Sequence, residues 1–211
     1  MAPARHQFEV VVCWNGEDKA TGTVLNWYSN VLPKNHTFFN MPMPITELGR
    51  RCIGRDRGAM LGEAPDFTWF TDVDHCFYDG IFDNIVDYDW PDDVVMIFPE
   101  TLMIHKDHKT GDIATKEVMQ TEPKLCFLKI NEFVPKLYHR AIGGVQIVKG
   151  EFAHQYGYLH EHPRWQKPCE IPFADFRDDV KYRNFCSSYG KIKRITLPGV
   201  YRIRHTHTSY Q

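Results

Sequence analysis

No apolar run in the chain is long enough to cross a bilayer, and the first seven residues have no apolar core of the kind that opens a signal peptide. Charge is also close to balanced: 25 Lys and Arg against 27 Asp and Glu leave a net charge of -2. No global basic field exists to gather nucleic acid or an anionic membrane. The six cysteines include no Cys-x-x-Cys pair, and several sit in apolar, strand-like runs, as buried free thiols do. A chain of 211 residues can build a core without disulfide staples. Internal repeats, low-complexity tracts and linkers are missing as well. These absences leave one soluble, cytoplasmic domain spanning 1–211, with no nucleic-acid partner and no membrane span, as the expectation. The chain stops just after a cluster of candidate ligands, as one module of a longer polypeptide would.

Aromatic residues, at 14%, are plentiful, and several of the eleven histidines lie near the C-terminus. Short apolar runs alternate with helix-like segments. Phe8–Trp14, His36–Asn40, Phe67–Phe70, Val94–Phe98, Leu125–Ile130, Ile192–Leu197 and Val200–Arg204 read as strands. Thr101–His105 and Ile113–Thr115 read as a hairpin with a polar tip that takes in His105 and His108. Val24–Val31, Thr46–Leu61, Glu151–Tyr158 and Phe173–Ser188 read as helices, while Met41-Pro42-Met43-Pro44 argues against regular structure. The pattern predicts an α/β fold whose sheet is mostly parallel, with mixed direction near the C-terminus.

The stretch with the most chemistry is Phe67-Thr-Trp-Phe-Thr-Asp-Val-Asp74. An apolar run ends in two carboxylates spaced i, i+2, which strand alternation would put on one face. Carboxylates at the carboxyl end of a strand stand where α/β sheets bind ligands. Two hard oxygen donors suit Mg²⁺ or Mn²⁺. An isolated Asp-x-Asp more often marks a strand end and a solvated turn, so the rest of the chain must carry the case. Arg50, Arg51, Arg55 and Arg57 precede it, and guanidinium groups bind diphosphate oxygens bidentately; Arg50 and Arg51 read better as a solvated basic face. Trp14 or Asn15, in the first strand-to-helix loop, is placed to meet a nucleotide. Gly143-Gly144 enters a strand and permits close approach by a ligand or a tight bend. His205 and His207 alternate on a final strand and share a face; imidazole beside carboxylates moves the preference toward Mn²⁺.

In order along the chain, Arg55-Asp-Arg-Gly-Ala59 before Asp72-Val-Asp74, Ile142-Gly-Gly-Val145, Asp178-Asp179-Val180 and Tyr201-Arg-Ile-Arg-His-Thr-His207 resemble the blocks of Asp-x-Asp glycosyltransferases with the GT-A fold, in particular the β-1,4-galactosyltransferase group. The chain is also similar to the N-terminal module of a chlorovirus-encoded glycosyltransferase, which implies a soluble viral protein acting in the host cytoplasm. The resemblance implies a Rossmann-like nucleotide-diphospho-sugar transferase fold. It implies transfer from a nucleoside-diphosphate sugar, a UDP-sugar first, to a glycan or glycoprotein hydroxyl with Mn²⁺ or Mg²⁺ and inversion. By that pattern Asp74 binds metal, Asp72 binds metal or the donor ribose, and His205 or His207 completes the coordination. Arg57, then Arg55, meets the nucleotide or diphosphate, and Gly144 lets the donor sugar approach. Asp178 or Asp179 is the base, with Asp175 an outside candidate. Arg202 stands where some members carry a Met ligand, a departure that leaves the ligand set open.

Two rivals use the same residues. A metal-dependent phosphohydrolase would use Asp-x-Asp as nucleophile and acid, but there the motif usually follows the first strand and leads into a Gly-containing loop; here it leads into His75-Cys76-Phe77. A non-catalytic carbohydrate-binding module would have no need of Asp72, Asp74 and His205.

Overall fold

The computed structural model describes residues 6–31, 36–78, 80–106, 130–169 and 177–203. His205, His207, Asp175, His108, the hairpin return at 113–115 and most of the strand expected at 125–130 lie outside them.

Strand β1 (Glu9–Asn15) pairs in parallel with β2 (Thr37–Met43), from Glu9 opposite Thr37 to Asn15 opposite Met43. β2 therefore runs through Pro42, where irregular chain was expected. Among the described residues β2 has β1 as its one strand partner, and an edge strand tolerates a residue with no N–H. Helix α1 (Lys19–Val31) begins earlier than its apolar spacing suggests, because Asp18 Oδ1 accepts from the backbone N–H of Ala20 and Thr21 at 3.0 and 3.2 Å, a side-chain cap. The helix expected over 46–61 is two pieces, α2 (Ile45–Leu48) and α3 (Arg51–Ala59), divided at Gly49-Arg50. Glycines let α3 lie close on β1: a Cβ at Gly54 would stand 3.0 Å from Cys13 Cβ.

A second sheet has the order β3 (Phe67–Phe70), β8 (Gln146–Lys149), β5 (Val94–Pro99), β9 (Lys191–Ile195). β8 runs against both neighbours, and β5 and β9 are parallel. The direction thus reverses inside this sheet, where a mostly parallel sheet was expected. Every residue of β5 is buried, as in a strand covered on both faces. On one side Phe70, Met96, Phe98 and Val148 pack with Phe152 of α5 (Gly150–Tyr156) and with Tyr182 and Cys186 of α7 (Asp178–Ser187). On the other, Ile97, Ile147 and Ile195 meet Ile81 and Ile85 of α4 (Ile81–Val86). Each such side chain contributes about 1.5–3 kcal/mol of burial. The remaining helix, α6 (Pro163–Gln166), brings Trp165 into the first of these clusters.

A third sheet has the order β4 (His75–Phe77), β10 (Val200–Arg202), β6 (Thr101–His105), β7 (Phe133–Leu137), with β10 parallel to β6 and the other pairings antiparallel. His105 does not belong to a polar tip. It ends β6, is 3% exposed, and packs edge-on to Phe133 at 5.0 Å between centroids. The short passage from β3 to β4 joins the second and third sheets, and the two aspartates lie on it. Five cysteines, Cys13, Cys52, Cys76, Cys169 and Cys186, are free thiols. Among the described residues no helix is long and apolar enough to cross a membrane.

Candidate metal centre

β3 stops at Phe70, so strand alternation does not set the directions of Asp72 and Asp74. A turn does so instead: the N–H of His75 donates to the carbonyl of Asp72 at 3.1 Å. It gathers Asp72, Asp74 and His75, whose ligand atoms all lie within 4.8 Å of one another. Val73, between the aspartates, is 99% exposed. The turn therefore presents the carboxylates toward one another while its apolar side chain faces solvent.

β10 fixes Asp74. Arg202 Nε donates to Asp74 Oδ2 at 2.9 Å, and the N–H of Ile203 donates to the Asp74 carbonyl at 2.8 Å. Burial raises the pKa of Asp74, but its close contacts with His75 and Arg202 lower it by more, leaving the carboxyl at about 2. His75 Nδ1 stands 2.8 Å from Asp74 Oδ1. That approach is not aligned as a hydrogen bond, and neither ring nitrogen of the buried His75 makes one among the described residues.

Asp72 belongs to a network spanning four elements. Arg55 of α3 donates through Nη2 to Asp72 Oδ1 at 2.7 Å and through Nη1 to the Tyr158 hydroxyl at 2.9 Å. Arg51, one turn earlier, donates through Nη2 to Asp178 Oδ1 at 2.7 Å and lies 3.8 Å from Asp72 Oδ1. Asp178 opens α7, is 2% exposed, and its Oδ2 stands 3.8 Å from Arg55. Burial works against the charge on Arg55, but Tyr158, Asp72 and Asp178 more than compensate and hold its pKa above the ordinary value. The Tyr158 hydroxyl, pushed up by burial, donates to Gln146 Oε1 at 3.0 Å. Gln146 Nε2 in turn donates to the carbonyl of Asp179 at 3.0 Å.

Gly143 and Gly144 form the wall between these two halves. A Cβ at Gly144 would lie 2.3 Å from His75 Cε1, and one at Gly143 would lie 3.6 Å from Arg55 Nη2. The room made by Gly144 is thus taken by the His75 imidazole, where a donor sugar was expected.

The structure brings Asp72, Asp74, Arg55, Gly144, Asp178 and Asp179 of the anticipated site into one region. Arg57 is not in it: on another side of α3, it binds Glu47 at 2.6 Å. Trp14 packs against Gly22 and donates to Asn40 Oδ1, and Asn15 Oδ1 accepts from the N–H of Glu17 at 3.2 Å. Trp14 is thus engaged by α1 and β2, and Asn15 by the turn that follows β1. Asp179 Oδ1 accepts from the N–H of Val180 at 2.8 Å. His75, Arg51 and Tyr158 were not anticipated. Arg51 and Arg55 are four residues apart, a spacing that stacks side chains on one helix face, and this could have disclosed Arg51. His75 follows Asp74 directly, and no spacing rule marks it.

The donor set fits a hard or borderline divalent cation. Two carboxylates and an imidazole are the ligand types of Mg²⁺ and Mn²⁺ sites, and a buried imidazole with no hydrogen bond offers a nitrogen to such an ion. Comparison with family models, with curated proteins and with solved structures finds no match to the chain.

Proposed function

We propose that the chain is a metal-dependent glycosyltransferase that moves a sugar from a nucleoside-diphosphate donor, a UDP-sugar first, to a glycan hydroxyl, within a GT-A-type α/β fold. The observation that carries this reading is the convergence of Asp72, Asp74 and His75 beside Arg55 and Arg51. Acidic ligands and guanidinium groups in one place suit a cation and the diphosphate it accompanies.

Asp74 and His75 hold Mn²⁺ or Mg²⁺, and Asp72 holds the metal or the donor ribose. When bound, the ion neutralises charge on the departing diphosphate. Arg55 and Arg51 hold phosphate oxygens. Asp178, buried and paired with Arg51, orients the guanidinium groups, while the more exposed Asp179 takes the acceptor proton. His205 or His207 adds to the ligand set.

The test is hydrolysis of UDP-sugars without acceptor, with and without Mn²⁺, on wild type and Asp74→Ala. Metal-dependent turnover should fall at least ~100-fold in the variant, the scale of losing a main electrostatic contributor, with the circular dichroism spectrum unchanged. Full activity in Asp74→Ala overturns the assignment. Release of phosphate from simple monoesters, with no sugar-nucleotide turnover, would favour the phosphohydrolase.

A further inference from the structure

Away from the metal centre, a cavity of about 260 Å³ is lined by His139, Arg140, Arg183 and Arg194 over an apolar floor that includes Phe98 and Ile192. At roughly 30 Å³ per water, it has room for an oxyanion and the ring that bears it. No acidic side chain lines it. Outside the lining, Glu100 stands 3.8 Å from Arg194 Nε and also accepts from Thr196 Oγ1 at 2.9 Å. Among the described residues Arg140 and Arg183 form no ion pair. Arg183 spends one donor on the carbonyl of Ala141 at 2.6 Å, and a guanidinium has five. Arg194 Nη1 approaches His139 Nδ1 at 3.3 Å. With arginine as the donor, that nitrogen accepts and Nε2 carries the imidazole proton.

Three guanidinium groups around one partly enclosed space repel one another unless an anion joins them. Planar guanidinium groups match carboxylate, phosphate and sulfate oxygens bidentately. The cavity also faces the metal centre's side of the fold. Phe98 pairs with Arg194 near the carboxyl ends of β5 and β9, and β3 runs in their direction and ends just before Asp72. That rim is where α/β sheets bind ligands. Ala141, held by Arg183, leads directly into Gly143 and Gly144.

We infer that this cavity binds the acidic group of an anionic saccharide, a uronate or a phospho- or sulfo-sugar, and so selects an acidic acceptor; the acceptor role rests on the glycosyltransferase reading. The test is calorimetric titration of the full chain with glucuronate, glucose 6-phosphate, glucose and inorganic phosphate. Wild type should bind both acidic sugars saturably, with affinity falling as salt rises, and should not bind glucose. Arg140→Gln and Arg194→Gln, made singly and together and checked by circular dichroism, should weaken glucuronate binding at least tenfold in the double variant. Arg183 is left intact because it also holds Ala141. Absent or salt-independent binding, or unchanged affinity in the folded double variant, overturns the site. Inorganic phosphate binding as tightly as glucose 6-phosphate overturns the saccharide as its source. UDP-sugar hydrolysis by wild type, measured separately, reports on the glycosyltransferase reading: its failure removes the acceptor role but leaves the binding result intact.

Discussion

A methyl group at position 144 would lie 2.3 Å from His75 Cε1 and under 3 Å from both ring nitrogens. One glycine therefore decides where an imidazole sits. His75 is 8% exposed and has little room to retreat. Gly144→Ala should displace the ring, cost about 1–3 kcal/mol as overpacking does, and weaken Mn²⁺ binding at least tenfold. Gly143→Ala should do less, because its Cβ meets nothing closer than 3.4 Å. Manganese titration of both variants checks this, and equal affinity in Gly144→Ala and wild type would remove His75 from the ligand set. At this scale the sequence discloses types and spacing well. Asp72 and Asp74 stand out because an apolar run breaks into acid, and Gly143-Gly144 because two glycines precede a strand. The partner of Gly144 was not legible, because the contact between His75 and Gly144 joins residues far apart in the chain.

Helix α3 shows how an element divides labour among its faces. Arg51 and Arg55 point to the aspartates, whereas Arg57, about 200° further round the helix than Arg55 at 3.6 residues per turn, turns to Glu47. Helical periodicity thus contained the choice between Arg55 and Arg57, which a motif match alone does not make. A third face carries the buried Asp56, which accepts from the N–H of Tyr158 at 2.9 Å and meets His160 Nδ1 at 2.8 Å. That pair ties α3 to the turn after α5, next to the tyrosine that supports Arg55. Hydrogen bonding to Asp56, and its charge, raise the pKa of His160 above the ordinary 6.5. A raised histidine pKa contributes stability that is fully present below the unfolded value and lost as pH rises through the folded one. His160 is 53% exposed, so solvent screening limits the contribution to less than about 1 kcal/mol. His160→Gln should therefore lower the thermal midpoint by about 1–3 °C at pH 6 and by less at pH 8.5. An equal loss at both values would make the contact a neutral hydrogen bond. Element boundaries were harder to read than their chemistry: Pro42 hides a strand that only its edge position permits, and the break at Gly49-Arg50 divides what local composition presents as one helix.

For the whole molecule, apolar patterning specified the α/β class because β1, β3 and β5 are rich in β-branched and aromatic residues and are separated by helix-like spacing. Strand direction was not legible to the same degree. β8 reverses in the middle of the second sheet, and its sequence, Gln146-Ile-Val-Lys149, reads alike in either sense. What the assembled sheets do is bring α3, the β3–β4 turn, the Gly143-Gly144 wall, α7 and β10 to one place, from positions 51 to 202 of the chain. A ligand that bridges those elements must stabilise the whole fold, since the site does not exist in the unfolded chain. Preferential binding at 100 times the dissociation constant adds about 2.7 kcal/mol, and for a chain of this size each kcal/mol moves the midpoint by about 2–4 °C. On the proposed glycosyltransferase reading, a UDP-sugar with Mn²⁺ should therefore raise the midpoint by about 5–10 °C, and chelation should remove most of the rise because the diphosphate loses its counter-ion. Asp74→Ala should flatten the response, while Arg57→Ala, removed from the site by its place on α3, should keep it. A rise of the same size in chelator would transfer diphosphate binding to Arg51 and Arg55 alone and leave the aspartates without a cation.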